Sequence, residues 1–286
     1  MTGAAVGFIG LGNMGHALAS NLVAAGFAVL SHDVAGPART PDGATYLPSV
    51  EEVAAGADIM VLSLPDAAVV ELVASQLLSA PCRRVTHVID TSTVGVSAAR
   101  GLAALLEQAG LRYVEAPVSG GVAGARARTL AVMCAGRDDA VDAVQPVLAG
   151  ISDRIYRVSD RPGAAQALKL ANNFLSATAL AATSEAVTFG LANGLDLATM
   201  LEVLNVSSGR SAATQDKFPN HVLTGQYASG FANSLMAKDL RLYLAAVAET
   251  GGPARIGEVT AGVWERFTER SPGADFTRIF PFVHDE

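Results

Sequence analysis

The sequence predicts an α/β fold, in which a doubly wound parallel sheet is followed by a long helix and an all-helical C-terminal domain. Three observations lead to this prediction. Through residues 5–159, short apolar strand-like runs alternate with helical runs, the pattern of a parallel sheet covered on both faces. An apolar helical run then extends almost unbroken from Ala164 to Asn193. Beyond it, residues 197–286 show helical periodicity alone.

The strands and helices can be placed in order from hydrophobic periodicity and from the glycines that end them. Strands are predicted at residues 5–10, 27–33, 57–65, 84–92, 111–118, 129–136 and 155–159. Helices are predicted at residues 14–26, 50–55, 67–78, 97–109, 140–148 and 164–193, with later breaks near residues 208–209 and 251–253. Because the pattern changes beyond Pro162, two domains are expected, residues 1–162 and residues 163–286.

Composition argues against several classes of function. Half of the 286 residues are hydrophobic and 16% are charged, which favours an enzyme with a large buried core over a disordered adaptor. The formal net charge is -7 and there is no cluster of Lys and Arg, so nucleic acid is not expected as a partner. Cys82 and Cys134 lie far apart without histidines at ligand spacing, which predicts neither a disulfide framework nor a metal site. This cysteine usage fits a reducing cytoplasm.

The N-terminal stretch contains no Asp, Glu, Lys or Arg before Asp33, as a signal peptide or a membrane span could. It lacks the basic residues that open a signal peptide, and glycines and polar residues interrupt it. We therefore expect neither secretion nor a membrane partner.

A glycine-rich loop joins the first predicted strand to the first predicted helix. Gly10, Gly12 and Gly15 form the pattern GxGxxG, with Leu11, Asn13 and Met14 completing the loop. The first glycine permits a tight turn, the second lets the backbone approach a pyrophosphate, and the third allows the helix to lie close to the strand. A plain turn is the alternative interpretation of the glycines alone. The strand-loop-helix context favours a dinucleotide site.

An acidic residue supports the dinucleotide interpretation. Asp33 ends the second predicted strand at the offset where a carboxylate can accept hydrogen bonds from the adenosine ribose hydroxyls. The same carboxylate would repel a 2'-phosphate, so NAD is expected in preference to NADP. Arg39 could soften this preference, although a solvated arginine in an unconstrained loop is the simpler interpretation.

Four blocks of sequence, in this order, resemble the β-hydroxyacid dehydrogenase family over nearly the whole chain. The blocks are GFIGLGNMG near the N-terminus, EAPVSGGVAGA at residues 115–125, GAAQALKLANNF at residues 163–174 and GFANSLMAKDL at residues 230–240. The resemblance implies a Rossmann-like domain, a long interdomain helix and a helical C-terminal domain, usually assembled as homodimers or homotetramers.

The resemblance also implies roles for individual residues. Lys169 would be catalytic, with Asn173 as its neighbour and a substrate contact. The substrate-binding residues would be Ser119, Gly120 and Gly121, and the further cofactor-lining residues would be Leu64, Pro65, Thr93, Phe231 and Lys238.

The chemistry of these residues is consistent with such roles. Lys169 and Asn173 are four apart in a predicted helix, so their side chains share one face. Burial favours the neutral amine of a lysine, which can then exchange a proton near neutral pH. A lysine that extends to solvent is the alternative. Ser119 and the amides of Gly120 and Gly121 could bind a substrate carboxylate, although a flexible turn would also explain them. Lys238 beside Asp239 could equally be a surface ion pair.

The chain departs from the family pattern at three arginines. Arg128 stands where the family usually has glycine, Arg126 precedes it, and Arg210 follows a Ser-Ser-Gly segment that lacks the usual aromatic residue. Solvated charges are the simplest interpretation. An arginine that faces the substrate would instead indicate a second anionic group, such as a carboxylate or a sulfonate.

Together these features predict hydride transfer between NAD and a small 3-hydroxy carboxylic acid, with 3-hydroxyisobutyrate as the first candidate and Lys169 as general acid and base. Two alternatives stay open. An imine reductase shares the architecture but usually carries Asp or Tyr at the position of Lys169, and a nicotinamide-binding sensor would have lost catalysis. A decarboxylating sugar-phosphate dehydrogenase is disfavoured by the short C-terminal region.

Overall fold

A nine-stranded sheet forms the centre of the first of two compact units in the computed structural model, which describes residues 4–285. The strands are β1 (Ala5–Ile9), β2 (Ala28–His32), β3 (Thr45–Tyr46), β4 (Ile59–Leu62), β5 (His87–Asp90), β6 (Arg112–Glu115), β7 (Val118–Ser119), β8 (Ala131–Ala135) and β9 (Arg154–Ser159). The first unit ends at Lys169 and the second begins at Leu170. This division falls inside a helix, seven residues after the boundary expected from the sequence at residues 162–163.

The helices of the first unit alternate with its strands. They are α1 (Asn13–Ala24), α2 (Val50–Gly56), α3 (Ala67–Ser79), α4 (Val96–Gln108), α5 (Gly121–Arg126), α6 (Asp138–Ile151) and the start of α7 (Ala164–Ala192). A short 3-10 helix (Pro37–Arg39) follows β2. The predicted helices are present with small shifts at their ends, whereas β3, α5 and the 3-10 helix were not predicted.

The strand order is β3-β2-β1-β4-β5-β6-β8-β7, with β9 paired to β8. Strands β1 to β6 are parallel, which confirms the doubly wound α/β prediction. The far edge differs from the expected parallel sheet, because β8 runs antiparallel to β6 and β7. The strand predicted at residues 111–118 is divided in two at Ala116–Pro117, since proline has no N–H to continue a ladder.

Two hydrophobic cores cover the two faces of the sheet. Successive side chains of a strand point to opposite faces, and accordingly Phe8 belongs to the core under α1 and α6, whereas Ile9 belongs to the core under α2, α3 and α4. The chain leaves β1 toward β2 and β3, then returns to the other side of β1 as β4. In such sheets the carboxyl ends of the strands on either side of this reversal form the ligand-binding crevice. The loops after β1 and β4 are therefore where a ligand is expected to bind.

The second unit is helical, as predicted. It contains the remainder of α7 together with α8 (Leu197–Asn205), a π-helical segment (Ala213–Val222), α9 (Asn233–Thr250), α10 (Arg255–Arg270) and α11 (Ile279–His284), with a 3-10 turn (Phe276–Arg278) before α11. Its core is centred on Phe218, Trp264 and Phe267. Helix α7 is long and apolar enough to cross a membrane by length and composition. We interpret it as a core helix, because the Trp264 indole donates to the Ala177 carbonyl at 3.2 Å inside this unit.

Candidate active site

The loop between β1 and α1 has open space for a pyrophosphate in front of the N-terminus of α1. Gly12 is the N-cap of α1, and no side chain among residues 4–285 caps this helix end. No described atom lies within 4 Å of the place where a Cβ would stand on Gly12. A Cβ on Gly15 would instead lie 1.9 Å from the Gly10 carbonyl oxygen. Gly15 therefore serves close packing of the helix on the strand, and Gly12 leaves open space in front of a helix N-terminus.

The other residues of this loop differ in what they can offer a ligand. The side chain of Leu11 is fully buried in the core, so that it cannot contact a ligand at the loop. Met14 is half-buried and packs against the same core, whereas Asn13 is exposed at the first turn of α1. The residues present fit a dinucleotide, because the exposed residues of the loop, Gly12 and Asn13, leave the N-terminus of α1 uncovered.

Asp33 holds the glycine-rich loop to the end of β2. Its carboxylate accepts the N–H of Leu11 at 2.6 Å and the N–H of Ala35 at 2.8 Å. Each carboxylate oxygen can accept a further hydrogen bond, so the carboxylate retains capacity for ribose hydroxyls. The sequence identified Asp33 as a ligand contact, but this structural role was missed.

Arg39 is exposed but is not in an unconstrained loop, and that part of the sequence interpretation is wrong. It ends the 3-10 helix after β2, and its backbone oxygen lies 2.8 Å from Nδ1 of His16 in α1. Its guanidinium donates to Oδ1 of Asn13 at 3.4 Å. The 3-10 helix therefore places a positive charge beside the first turn of α1.

The loops after β4 and β5 are joined to each other. The N–H of Leu64 donates to Oγ of Ser92 at 2.9 Å, and the N–H of Ser92 donates to the carboxylate of Asp90 at 2.9 Å. Leu64 and Thr93 are half-buried, and Pro65 is exposed. The structure therefore brings these three predicted cofactor residues into two linked loops at the carboxyl edge of the sheet, beside the glycine-rich loop.

The predicted carboxylate-binding turn begins α5. Ser119 ends β7 and is half-buried, while Gly120 is the N-cap of α5 and Gly121 its first residue. Gly120 has φ of +133° and Gly121 has φ of +68°, conformations that side chains with a Cβ rarely adopt. The two glycines are thus required by the backbone, and a role in binding an anion stays a prediction.

A buried carboxyl group, Glu115, lies just before this turn and was not predicted as important. It accepts the N–H of Gly163 at 2.6 Å and the N–H of Gln166 at 3.1 Å, and so holds the first turn of α7 to β6. Burial raises the pKa of Glu115 to about 7, and the nearby carboxylate of Asp90 acts in the same direction, while the backbone hydrogen bonds oppose it. The available signal was an acidic residue among the apolar neighbours Tyr113, Val114 and Ala116, which does not reveal its partners 48 and 51 residues away.

The raised pKa of Glu115 predicts a pH-dependent stability. Because the folded-state pKa of about 7 lies above the ordinary 4.5, the contribution of this group is complete below pH 4.5 and is lost as the pH rises through 7. The loss amounts to about 3 kcal/mol at 1.36 kcal/mol per unit. Urea unfolding followed by circular dichroism should show this decline in the native protein and a flatter profile in Glu115→Gln. Parallel pH profiles in the two proteins would contradict the assignment.

Lys169 and Asn173 are one helical turn apart on α7. Lys169 is the last residue of the first unit and is only 8% exposed, so the alternative of a lysine extended to solvent is wrong. Asn173, in the second unit, is 5% exposed. A buried amine and a buried amide on one helix are groups that can exchange a proton with a small polar molecule and orient it.

Asp239 contacts two of the predicted site residues, both in the second unit, and was missed as a functional candidate. It is 3% exposed, and its carboxylate accepts Nδ2 of Asn173 at 2.5 Å. Its other oxygen lies 3.2 Å from Nζ of Lys238. The Lys238–Asp239 pair is therefore not a surface ion pair, because its carboxylate is buried. Asp239 brings together Asn173 and Lys238, one predicted as a substrate residue and the other as a cofactor residue.

Phe231 is held by the C-terminal segment of the second unit. It is half-buried and packs edge-on against Phe276, with ring centroids 5.5 Å apart. The N–H of Phe276 donates to the carbonyl of Phe231 at 2.8 Å, and the carboxylate of Asp275 accepts from Ser229 and Gly230 just before it. Hydrogen bonds to Asp275 and Phe276 therefore hold the segment that carries Phe231.

The three arginines that depart from the family pattern have different environments. Arg128 has φ of +58°, a backbone conformation that glycine adopts more readily than a residue with a Cβ. Its guanidinium donates to the carbonyls of Ala149 at 2.6 Å and Gly150 at 2.7 Å, and to Asp153 at 3.1 Å. Arg128 thus caps the C-terminus of α6, whose dipole favours a cation there. Arg126 and Arg210 are exposed.

Comparison with known families agrees with these features in both units. Residues 5–159 match the family described as the NAD binding domain of 6-phosphogluconate dehydrogenase. Residues 163–283 match the family described as the NAD-binding domain of NADP-dependent 3-hydroxyisobutyrate dehydrogenase. Two independent matches thus cover nearly the whole chain, and both describe nicotinamide-dinucleotide-dependent oxidoreductases.

Individual relatives are similar over most of their length. The 2-(hydroxymethyl)glutarate dehydrogenase of Eubacterium barkeri is 38% identical over 91% of this chain and 88% of the relative. The structure of 3-hydroxyisobutyrate dehydrogenase from Mycobacterium tuberculosis with L-serine is 32% identical, with a TM-score of 0.89 over 99% of each chain. The structure of Psf3 with NADP+ and 2-OPP is 29% identical, with a TM-score of 0.84 over 97% of this chain and 99% of that chain.

Imine reductases are more distant. The enzyme of Myxococcus stipitatus is 18% identical, with a TM-score of 0.66 over 99% of this chain and 100% of that chain, a likeness that establishes the fold alone. The family matches and the full-length relatives, by contrast, establish a family. This chain belongs to the β-hydroxyacid dehydrogenase family and is a nicotinamide-dependent oxidoreductase.

Proposed function

We propose that the protein transfers a hydride between NAD and a small 3-hydroxy carboxylic acid, with Lys169 as general acid and base. The observation that carries the proposal is the burial of Lys169 one helical turn from Asn173, in a chain whose glycine-rich loop fits a dinucleotide. Lysine is rarely buried to this extent, so the 8% exposure of Lys169 marks a specialised environment for its amine.

In the oxidation direction the neutral amine of Lys169 takes the proton of the substrate hydroxyl. In the reduction direction the ammonium group returns a proton to the forming alkoxide, and its charge stabilises the negative oxygen as it develops. The nicotinamide, when bound, supplies the hydride acceptor in one direction and the hydride donor in the other. Burial keeps the amine away from water, which strengthens its electrostatic interaction with the reacting oxygen.

Binding of the substrate is assigned to two groups of residues. Ser119 and the backbone amides of Gly120 and Gly121 bind the carboxylate, because successive amides in a glycine turn form an anion-binding concavity. Asn173 orients the hydroxyl through its amide. Its Nδ2 donates one N–H to the carboxylate of Asp239 and its Oδ1 accepts from Asn172 at 3.0 Å, and each end has capacity for a second hydrogen bond. Phe231, Lys238, Leu64, Pro65 and Thr93 serve the cofactor.

The substrate itself is proposed as 3-hydroxyisobutyrate, with 2-(hydroxymethyl)glutarate as the second candidate. Both are 3-hydroxy acids, and the second carries an additional carboxylate. The relative from Eubacterium barkeri supports the second candidate. The guanidinium of Arg128 is bound to the C-terminus of α6. Arg126 and Arg210 are exposed, so their guanidinium groups are the ones proposed to bind a second carboxylate of the substrate.

A substrate panel tests these assignments. Purified protein is mixed with NAD and either 3-hydroxyisobutyrate, 2-(hydroxymethyl)glutarate or serine, and reduced nicotinamide is followed by absorbance. We expect turnover of at least one 3-hydroxy acid and none of a 2-hydroxy acid control of equal size. Turnover of a cyclic imine in the reverse assay would support the imine reductase alternative. NAD binding without turnover of any substrate would support the sensor alternative.

Asp33 is proposed to give NAD its preference over NADP. Its half-buried carboxylate can accept from a ribose hydroxyl and repels a 2'-phosphate, while Arg39 beside Asn13 offers a partly compensating charge. Replacing Asp33→Asn should raise KM for NAD roughly tenfold and lower KM for NADP, as expected for loss of a charged acceptor. Arg39→Ala should raise KM for NADP alone. Equal effects of Asp33→Asn on both cofactors would contradict the proposal.

The protein is further proposed to act as a cytoplasmic homodimer or homotetramer. On α7, Leu175, Ala182 and Phe189 recur every seventh residue and are exposed, Phe189 by 72%. An exposed apolar stripe of this kind on a helix is typical of a surface that another protein chain covers. Light scattering should give a mass of two or four chains, and Phe189→Glu should reduce it. A monomeric native protein would refute this assembly.

A further inference from the structure

One buried side chain, Gln166, joins the first turn of α7 to the loop between β5 and α4. Its Oε1 accepts the N–H groups of Val94 at 3.1 Å and Gly95 at 3.3 Å, and its Nε2 donates to the carbonyl of Ser92 at 3.0 Å. Gln166 is fully buried. Because both ends of its amide are used by one loop, the side chain fixes the distance and the orientation of that loop relative to α7.

The backbone of Gln166 is fixed as well. Its N–H donates to the carboxyl of Glu115 at 3.1 Å, and the same carboxyl accepts the N–H of Gly163 at 2.6 Å. The first turn of α7 is thus bound to β6 through its backbone and to the loop after β5 through a side chain. A buried polar group with all its partners in place has little freedom to move.

The chain of hydrogen bonds continues to the loop after β4, where Oγ of Ser92 accepts the N–H of Leu64 at 2.9 Å. Leu64 and Thr93 are two of the residues assigned to the cofactor. Lys169 lies three residues after Gln166, one turn further along α7. Gln166 therefore stands between the helical turn that carries the amine and the two loops that carry cofactor contacts, all within the first unit.

We propose that Gln166 is a positioning residue for hydride transfer, which sets the distance between the Lys169 turn of α7 and the loops that carry Leu64 and Thr93. The inference rests on the role proposed above for Lys169. Proton transfer requires the amine to lie within hydrogen-bonding distance of the hydroxyl whose carbon exchanges the hydride. A displacement of about 1 Å can lower such a rate by about 100-fold.

Steady-state kinetics of Gln166→Met provides the first test. Methionine has a similar volume and no polar end, so it removes the three hydrogen bonds without leaving a large cavity. We expect kcat to fall by about 10- to 100-fold while KM for NAD changes by less than about threefold. The control is Ser184→Ala, which removes a 2.8 Å hydrogen bond from another buried position of α7 and should leave kcat unchanged. A lowered melting temperature with unchanged kcat would make Gln166 purely structural and overturn the proposal.

Chemical labelling of amines provides a second readout that needs no substrate. The sequence contains three lysines, Lys169, Lys217 and Lys238, so mass spectrometry can follow each side chain separately. In Gln166→Met the Lys169 amine should react several-fold faster, because the turn that buries it is loosened, while Lys217 keeps its rate. Unchanged labelling of Lys169 would overturn the proposal. A native protein inactive on every substrate would refute the proposed function instead, and labelling would still decide the positioning role.

A second pair of variants covers the case in which Gln166→Met does not fold. Gln166→Glu keeps acceptor oxygens for Val94 and Gly95 but cannot donate to the carbonyl of Ser92 when ionised. It should therefore retain a kcat between those of the native and Met proteins. Ser92→Ala removes the next hydrogen bond of the series, the one from the N–H of Leu64. The double variant Gln166→Glu with Ser92→Ala should lower kcat by less than the product of the two single effects. Strictly multiplicative effects would overturn the proposal.

Discussion

Replacing Lys169→Met is expected to lower kcat for hydride transfer by about 100- to 10,000-fold, the range that a positioned general acid and base contributes. Methionine suits a site that is 8% exposed, because it has similar length and no charge. The affinity for NAD, measured by fluorescence titration, should change by less than about threefold, since the glycine-rich loop is untouched. Rapid kinetics with deuterated substrate would show whether the slowed step is the hydride transfer.

The matched control for this variant is Lys217→Met. Lys217 forms an ion pair with Asp216 in the second unit and is 27% exposed, so its loss should leave kcat within about twofold. If Lys169→Met kept more than about a tenth of the native kcat, its amine could not be the group that exchanges the proton. If both variants lost activity equally, the effect would reflect a general loss of structure.

Gly12→Ala should weaken NAD binding without loss of stability, whereas Gly15→Ala should destabilise the fold. Gly12 has φ of -60° and no described atom within 4 Å of an added Cβ, so alanine fits the folded chain without strain. The methyl group would stand where the pyrophosphate must approach, and NAD affinity should fall by about 100-fold or more, with the melting temperature unchanged. Isothermal titration and thermal unfolding together would measure both quantities.

In Gly15→Ala the new methyl group meets the carbonyl oxygen of Gly10 at 1.9 Å, a contact with backbone that must be relieved by moving α1 away from β1. We expect a loss of stability of about 1–3 kcal/mol, as for other overpacked sites, seen as a melting temperature lower by several degrees. A Gly15→Ala protein as stable as the native one would show that the helix does not need this close approach. Tight NAD binding by Gly12→Ala would place the pyrophosphate elsewhere.

The alternation of strands and helices could be predicted because each element carries its own periodicity. The limits of that information appear at Pro117, where one predicted strand becomes β6 and β7, and at β8, whose antiparallel direction depends on pairing partners that are distant in sequence. The short helix α5 was missed because its six residues, Gly121–Arg126, contain two glycines and too few turns to show a pattern.

Some residues of the candidate site could likewise be proposed from the sequence, whereas others depend on partners that only the fold brings together. Gly12, Asp33 and Lys169 could be proposed as site residues from the sequence, because their residue types and spacing point to chemistry. Glu115 and Asp239 could not, since their importance depends on partners 48 and 66 residues away, Gly163 and Asn173. Arg128 could be identified from the sequence as a departure from the family pattern. Its role as a cap of α6 follows only from its positive φ and from its hydrogen bonds to the last carbonyls of that helix.

The position of the single tryptophan, Trp264, gives the protein a built-in optical probe. The indole is fully buried among Phe267, Phe276 and the helices of the second unit, so its emission will respond when that unit loses its core. Far-ultraviolet circular dichroism, by contrast, reports the secondary structure of both units together. Coincident midpoints from the two signals would mean that the sheet and the helical unit unfold in one cooperative step, and separate midpoints would give each unit a stability of its own.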